Sequence, residues 1–145
     1  GRRIGGMCHY MLPSRGGKRG TQALDGRYGD EALAMLLTEI HARRGHPAEL
    51  DAKLFGGGSM FDRHGHHGAG AAGQVPYRNI AAGRELMARH GFKVTAQHLG
   101  GYGHRQVIFD VRSGEVWMKH TPLPAAENGL DAAHSAGHPL IEGAS

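Results

Sequence analysis

The sequence predicts an α+β fold, a layered α/β sandwich in which two main helices pack on a mostly antiparallel sheet. Two stretches carry apolar residues at helical spacing, and several short stretches alternate apolar with polar residues or form brief apolar runs. The predicted order is strand, helix, strand, helix and then three strands. Such a mixed order is typical of helices layered on a largely antiparallel sheet.

The first helix is the clearest element and is predicted over residues 30–44. Asp30 is a suitable N-cap, and Gly45 is placed to be the residue just beyond the C-terminus. The apolar residues of this stretch recur at i, i+3, i+4 and i+7 and form one stripe that faces a core. They are Leu33, Leu36, Leu37 and Ile40.

The second helix is predicted over residues 79–90, where the apolar stripe is weaker and Gly91 marks the end. The predicted strands are residues 4–12, 52–55, 92–96, 107–111 and 116–119. In the first of these, a period of two places Met7, His9 and Met11 on one face and Cys8, Tyr10 and Leu12 on the other. Residues 14–29 have no periodicity and are expected to form a mobile loop.

Length and composition predict one domain followed by a tail. The chain has 145 residues, a size that suits a single core, and 25 of them are glycines that mark turns or close approaches of the backbone. Residues 1–120 are predicted to form the domain. Residues 121–145 are rich in Pro, Ala, Gly and His without an apolar period, which predicts a disordered tail.

Charge and cysteine content exclude several classes of protein. The net charge of +4 and the pI of about 9.6 would suit nucleic acid, but no dense basic stripe with interleaved aromatics is present, so nucleic-acid binding is not expected. Cys8 is the only cysteine, so an intramolecular disulfide is excluded. No apolar run approaches the roughly 18 residues of a membrane helix, and we expect a cytoplasmic protein without membrane insertion.

His9 is the first candidate for chemistry. An imidazole in an apolar segment needs partners for its ring nitrogens, and its ordinary pKa suits proton transfer at neutral pH. Taken alone, a half-buried histidine that is hydrogen-bonded to backbone is the more common explanation. Cys8 is adjacent, but neighbouring residues of a strand point to opposite faces, so we interpret Cys8 as structural and not as a nucleophile paired with His9.

Two other patterns are weaker. His64, His66 and His67 lie close together in a glycine-rich loop, but they have no nearby thiol and no rigid frame, so no metal site is expected. The run Gly56-Gly57-Gly58-Ser59 follows a short strand but lacks the lysine of a phosphate-binding loop. We interpret it as a place where a substrate backbone or a catalytic group can approach closely. No cofactor is predicted.

Several segments, taken in order, resemble the chemoreceptor glutamine deamidase (CheD) family from Gly5 to about Lys119. They are Gly6-Met7-Cys8-His9-Tyr10-Met11-Leu12-Pro13, Arg27-Tyr28-Gly29-Asp30-Glu31-Ala32, Lys53-Leu54-Phe55-Gly56-Gly57-Gly58-Ser59-Met60-Phe61, Arg78-Asn79, Leu99-Gly100-Gly101, Val107-Ile108-Phe109-Asp110 and Ser113-Gly114-Glu115-Val116-Trp117. No single piece is diagnostic, but their order and spacing together are specific.

The resemblance implies a hydrolase that converts glutamines of methyl-accepting chemotaxis receptors to glutamates through a Cys-His-Thr constellation. The histidine of the family's His-x-Met-Leu-Pro segment corresponds to His9, which favours a catalytic role for this residue. The resemblance also implies a layered fold of the kind predicted above. Methyl-accepting receptors are the implied partners, together with a CheC-type phosphatase of the response regulator.

The sequence departs from the family pattern in its site. The family's nucleophilic cysteine lies upstream of the histidine in a Leu-Gly-Ser-Cys type segment, and its threonine lies further upstream, so we expect both to precede Gly1. The chain as given is then expected to be inactive on its own. The alternative is a non-catalytic interaction module that binds receptors or the phosphatase. Pro76 and Tyr77 also replace the glycine that usually precedes the Arg-Asn pair.

Overall fold

The computed structural model describes residues 4–17, 20–59, 71–122 and 142–144. The predicted α+β class is confirmed, with two helices and both parallel and antiparallel strands. The elements in chain order are α1 (Gly29–Ala42), a short 3-10 helix (Pro47–Glu49), β1 (Asp51–Gly56), α2 (Ala71–His90), β2 (Lys93–Leu99), β3 (His104–Phe109), β4 (Val116–Thr121) and β5 (Glu142–Ala144).

The described strands form two small sheets. Strands β3 and β4 are antiparallel neighbours, and β5 pairs antiparallel with β4. Strands β1 and β2 are parallel, a pairing that alternation alone did not indicate. Helix α2 lies between them in sequence, and a crossover of this length lets the chain return to the same end and run in the same direction.

Two elements depart furthest from their predicted bounds. Residues 4–10 have no regular secondary structure, and only Leu12 of the predicted strand forms an isolated bridge, with Tyr28. A strand needs a neighbour for its backbone groups, and no described strand pairs with residues 4–10. Helix α2 begins at Ala71 instead of Asn79 and contains Pro76.

The tail was predicted over residues 121–145. Thr121 is the last residue of β4, and residues 142–144 form β5. Residues 123–141 and 145 lie outside the described part of the chain, so the boundary at residue 120 stays a prediction.

The core of the described residues is small and centred on α1. Ala32, Leu33 and Ile40 of α1 and Leu86 of α2 are the buried apolar residues, which confirms two members of the predicted stripe, while Leu36 and Leu37 are half-buried. No large side chain in the described segments is completely buried.

The two helices end in the same way but with different residues. Both close with the paired backbone bonds of a Schellman motif: Gly45 N–H donates to the Ile40 carbonyl, and Phe92 N–H donates to that of Met87. In α2 the left-handed position is taken by Gly91, as the sequence predicted. In α1 it is taken by Arg44, with φ of 58°, and not by Gly45.

Replacing Arg44 with glycine is expected to stabilise the protein by about 0.5–1 kcal/mol, because a left-handed backbone strains any residue that has a Cβ. Urea denaturation measures the change. The matched control is Arg43→Gly at the adjacent C-cap, where φ is −93°. In this control no left-handed backbone strain is removed, and the bonds from the Arg43 side chain to Glu39 are lost. An equal gain in both variants would contradict the explanation.

Candidate active site

Tyr10 anchors the segment that carries His9 by inserting between the two helices. Its hydroxyl donates a hydrogen bond to the backbone carbonyl of Asn79 in α2 at 2.7 Å. A methyl group at Gly29 would lie 3.1 Å from the Tyr10 ring, and one at Gly83 would lie 2.7 Å from its hydroxyl. The two glycines thus leave the space that the tyrosine occupies.

The segment is held on both sides of His9. After it, the N–H groups of Met11 and Leu12 donate to the Arg27 carbonyl at 2.9 and 3.0 Å. The side-chain amide of Asn79 also donates to the Met11 carbonyl at 2.8 Å. Before His9, the backbone passes close to neighbouring side chains: a methyl group on Gly5 would lie 3.1 Å from the ring of Phe109, and one on Gly6 would lie 2.9 Å from Leu36.

His9 itself is exposed between these fixed points. No hydrogen bond joins its ring to any residue in the described segments, so the half-buried, backbone-bonded histidine that the sequence allowed is not observed. Met7 and Met11, two residues away on either side, are 67% and 63% exposed. The imidazole is therefore presented to solvent in a segment that also exposes apolar side chains.

Cys8 does not have the surroundings of an activated nucleophile. The residue is exposed, yet desolvation of its thiol raises the pKa of Cys8 above the ordinary value. Burial also raises the pKa of Tyr10, and the nearby charge of Cys8 raises it further. No cation in the described residues pairs with Cys8, and nucleophilic cysteines usually need one.

Alkylation should show this directly. We expect the rate of reaction of Cys8 with iodoacetamide to rise with pH and to inflect above the ordinary value of a cysteine thiol, because burial favours its neutral form. The rate is measured from pH 6 to 10 by intact mass, with a free cysteine peptide as reference. An inflection near or below neutral pH would mean that Cys8 is an activated thiolate.

The loop before α1 is held by a partly buried ion pair instead of being free of contacts. Arg15 donates two hydrogen bonds of 2.8 Å to the carboxylate of Glu31, and Asp25 N–H donates to the same carboxylate at 2.7 Å. Glu31 is only 6% exposed, and its carboxylate raises the pKa of Arg15. Hydrogen bonds from Arg27 lower the pKa of Asp25 to about 2. These contacts place the Arg27 carbonyl, which receives the Met11 and Leu12 bonds.

The two glycine-rich runs meet at the carboxyl ends of the parallel strands β1 and β2. Gly100 N–H donates to the Gly56 carbonyl at 2.9 Å, and Ser59 N–H donates to that of Gly101 at 2.8 Å. Gly57 lies against α2, where a methyl group would clash with the Ile80 side chain. The close approaches observed at this run are thus made by parts of the same chain, and the approach of a substrate backbone or a catalytic group stays a prediction.

A second polar cluster supports these glycine runs. The Nε of Arg105 donates to His98 Nδ1 at 2.7 Å, and its Nη2 donates to the Gly100 carbonyl. Burial lowers the pKa of Arg105. The His120 ring lies 5.2 Å from that of His98, and its Nε2 is 2.9 Å from the Tyr102 carbonyl. The cluster thus joins β2, β3 and β4 where the glycine loops leave the sheets.

Two open grooves do not coincide with His9. One, of about 410 Å³, is bordered by Arg15, Leu24 and Glu31, and the other, of about 390 Å³, runs between Pro13 and α2. No group of metal-ligating side chains is found in the described residues. His64, His66 and His67 lie outside them. No helix in the described segments is long and apolar enough to span a membrane.

Comparison with known proteins decides the family. Residues 11–120 match the family model described as CheD chemotactic sensory transduction, which is more than half of the chain. The chain belongs to the CheD family. The matched residues begin two positions after His9.

Curated CheD relatives are similar over most of the chain. A probable chemoreceptor glutamine deamidase CheD of Pseudomonas savastanoi pv. phaseolicola is 47% identical over 126 residues, which cover 87% of this chain and 69% of the relative. A probable chemoreceptor glutamine deamidase CheD 3 of Dechloromonas aromatica is 43% identical, and the match covers 94% of this chain and 74% of the relative. A probable chemoreceptor glutamine deamidase CheD of Thermococcus kodakarensis is 32% identical, and the match covers 81% of this chain and 70% of the relative.

Several residues gained a physical role only from the structure. The family resemblance used Arg78-Asn79 and Arg27 to Ala32 as motif pieces without assigning a function to any of their side chains. In the fold, Asn79 and Arg27 hold the backbone beside His9, and Glu31 holds the loop that carries Arg27. No local pattern of the sequence indicates these contacts, because they join segments that are separated in the chain.

Proposed function

We propose that this chain is the greater part of a cytoplasmic protein-glutamine deamidase that acts on methyl-accepting chemotaxis receptors. Membership of the CheD family supports the reaction, because the relatives are named as probable chemoreceptor glutamine deamidases. The single structural observation that supports a site is His9, which is exposed while hydrogen bonds hold the backbone directly after it.

The proposed chemistry is that of a thiol amidohydrolase. A cysteine thiolate from the segment that precedes Gly1 in the full-length protein attacks the glutamine carboxamide carbon. His9, as imidazolium, protonates the leaving ammonia as the thioester forms, and then takes a proton from the water that hydrolyses this thioester. The products are ammonia and a glutamate side chain, and the thiol is regenerated. Backbone N–H groups would stabilise the oxyanion, and an upstream threonine would orient the imidazole.

Cys8 is not the nucleophile in this proposal. Its raised pKa and the lack of a cation beside it among the described residues both disfavour attack by this thiol. Receptors are the proposed partners, and a CheC-type phosphatase is a further one.

The test compares two proteins, the 145-residue chain and the same protein extended to its natural N-terminus. Each is incubated with the cytoplasmic fragment of a methyl-accepting receptor, and deamidation is followed by ammonia release and by peptide mass. We expect activity only in the extended protein. Activity of the 145-residue chain would place the nucleophile within it, whereas receptor binding without deamidation by both proteins would favour a non-catalytic interaction module.

A further inference from the structure

We infer that Asn79 is a positioning residue for His9, an inference that rests on the proposed function. Asn79 is the residue of α2 that bonds to the His9 segment at two points. Its backbone carbonyl accepts the Tyr10 hydroxyl at 2.7 Å, and its side-chain Nδ2 donates to the Met11 carbonyl at 2.8 Å. These two residues follow His9 directly, so their position sets the direction in which the imidazole leaves the backbone.

In the described segments, the side chains of Tyr10 and Asn79 supply the hydrogen bonds between this stretch and α2. Residues 4–10 belong to no helix or strand, so no ladder of backbone bonds fixes them. The other bonds that hold this stretch are donated by the Met11 and Leu12 N–H groups to the Arg27 carbonyl, which lies in the loop before α1 and not in a helix. Asn79 therefore connects helix α2 to an irregular segment directly beside His9, the residue whose position the proposed chemistry requires.

The asparagine holds this position at a cost in stability. Its Oδ1 is buried and has no hydrogen-bond partner among the described residues. A buried acceptor left unpaired destabilises the fold by an amount similar to what one hydrogen bond contributes. The alternative orientation of the amide would place Oδ1 beside the Met11 carbonyl, and two acceptors cannot form a hydrogen bond. The observed orientation, in which Nδ2 faces this carbonyl, is therefore the one that forms a bond.

Replacing Asn79 with alanine removes the favourable hydrogen bond to Met11 and also the unfavourable burial of Oδ1. The two effects on the stability of the fold oppose each other. Asn79→Ala is expected to leave the melting temperature within about 3 °C of the parent protein. The same variant loses the side-chain tie to Met11, and small displacements of a catalytic group can reduce turnover by about 100-fold. Residues that serve positioning in this way affect activity much more than stability.

Amide hydrogen exchange of the 145-residue chain tests the positioning without any assay of activity. We expect the Met11 and Leu12 amides to exchange at least about tenfold faster in Asn79→Ala, as local opening becomes easier. The Ala32 amide, which donates to Tyr28 within α1, should be unchanged. Arg84→Ala, on an exposed position of the same helix, is the matched control variant. Unchanged exchange at Met11 and Leu12 would overturn the inference.

Kinetics of the full-length enzyme on a receptor fragment test the consequence. We expect Asn79→Ala to reduce kcat by about 100-fold with little change in KM, because the loss falls on the transition state. Tyr10→Phe, which keeps the ring between the glycines and removes only the hydroxyl bond, should reduce kcat by a smaller factor. Arg84→Ala should keep the parent value.

The outcomes separate this inference from the proposed function. If His9→Gln is inactive but Asn79→Ala keeps full kcat, the positioning role is wrong and the proposed function stands. If Asn79→Ala loses activity together with a large fall in melting temperature, its role is structural and the inference is again wrong. If His9→Gln keeps full activity, the proposed role of His9 fails, and the inference fails with it whatever the exchange data show.

Discussion

Replacing His9 with glutamine in the full-length protein is expected to reduce receptor deamidation by about 10²–10⁴-fold, the range typical of a lost general acid–base. Glutamine has a similar shape and can hydrogen-bond, but it cannot carry a proton between the leaving ammonia and the attacking water. The loss should fall on kcat with KM nearly unchanged, since His9 acts in the transition state. Ammonia release and peptide mass measure it.

The stability of this variant should be close to that of the parent. His9 is exposed and forms no hydrogen bond with a described residue, so its replacement removes no packing. His104→Gln is the matched control, because this histidine is also exposed but lies at the start of β3. If both variants deamidate at the parent rate, His9 has no role in proton transfer and the catalytic assignment is wrong.

The largest effect on stability is expected from Glu31→Ala, at about 3 kcal/mol. Removing one partner of a buried ion pair costs about 3–5 kcal/mol, and the lower end applies because the Arg15 side chain is 22% exposed and can regain water. The variant also leaves the Asp25 N–H without its acceptor. Urea denaturation should show a lower midpoint with an unchanged slope.

Glu39→Ala provides the control for this stability prediction. Glu39 is in the same helix and pairs with Arg43 four residues later, but both side chains are exposed, so its loss should cost less than about 0.5 kcal/mol. Arg15→Met, alone and combined with Glu31→Ala, isolates the coupling between the two groups. A loss from Glu31→Ala as small as that from Glu39→Ala would mean that the loop is not held by this pair.

Local sequence patterns predicted the features that depend on a single helix or strand. The predicted stripe placed α1 to within two residues at its C-terminus, and Leu33 and Ile40 are buried as expected. Alternation predicted a strand at residues 107–111 that overlaps β3, and the strand predicted at residues 116–119 lies within β4. Gly91 ends α2 with a left-handed φ of 74°. These features depend on residues that are near one another in the chain.

Patterns that needed a distant partner were less informative. Residues 4–12 have the composition of a strand, but composition cannot supply a neighbour, and residues 4–10 are irregular. Gly45 was placed as the left-handed residue after α1, yet Arg44 takes this conformation. Gly45 instead lies close to neighbouring side chains, and a methyl group there would lie 3.2 Å from the Ile40 side chain. The loop before α1 was expected to be mobile. The ion pair that holds it joins Arg15 to Glu31, which are 16 positions apart, and local patterns do not show such a contact.

The sequence by itself determined the α+β class, the positions of most elements and, through ordered motifs, the resemblance to the CheD family. It also singled out His9. Only the tertiary structure decided how the His9 segment is held. The contact between Tyr10 and Asn79 joins residues 69 positions apart, and the glycines that admit the tyrosine lie in two different helices. Periodicity reports which face of an element is apolar, whereas contacts of this kind depend on which elements meet, and packing alone fixes that.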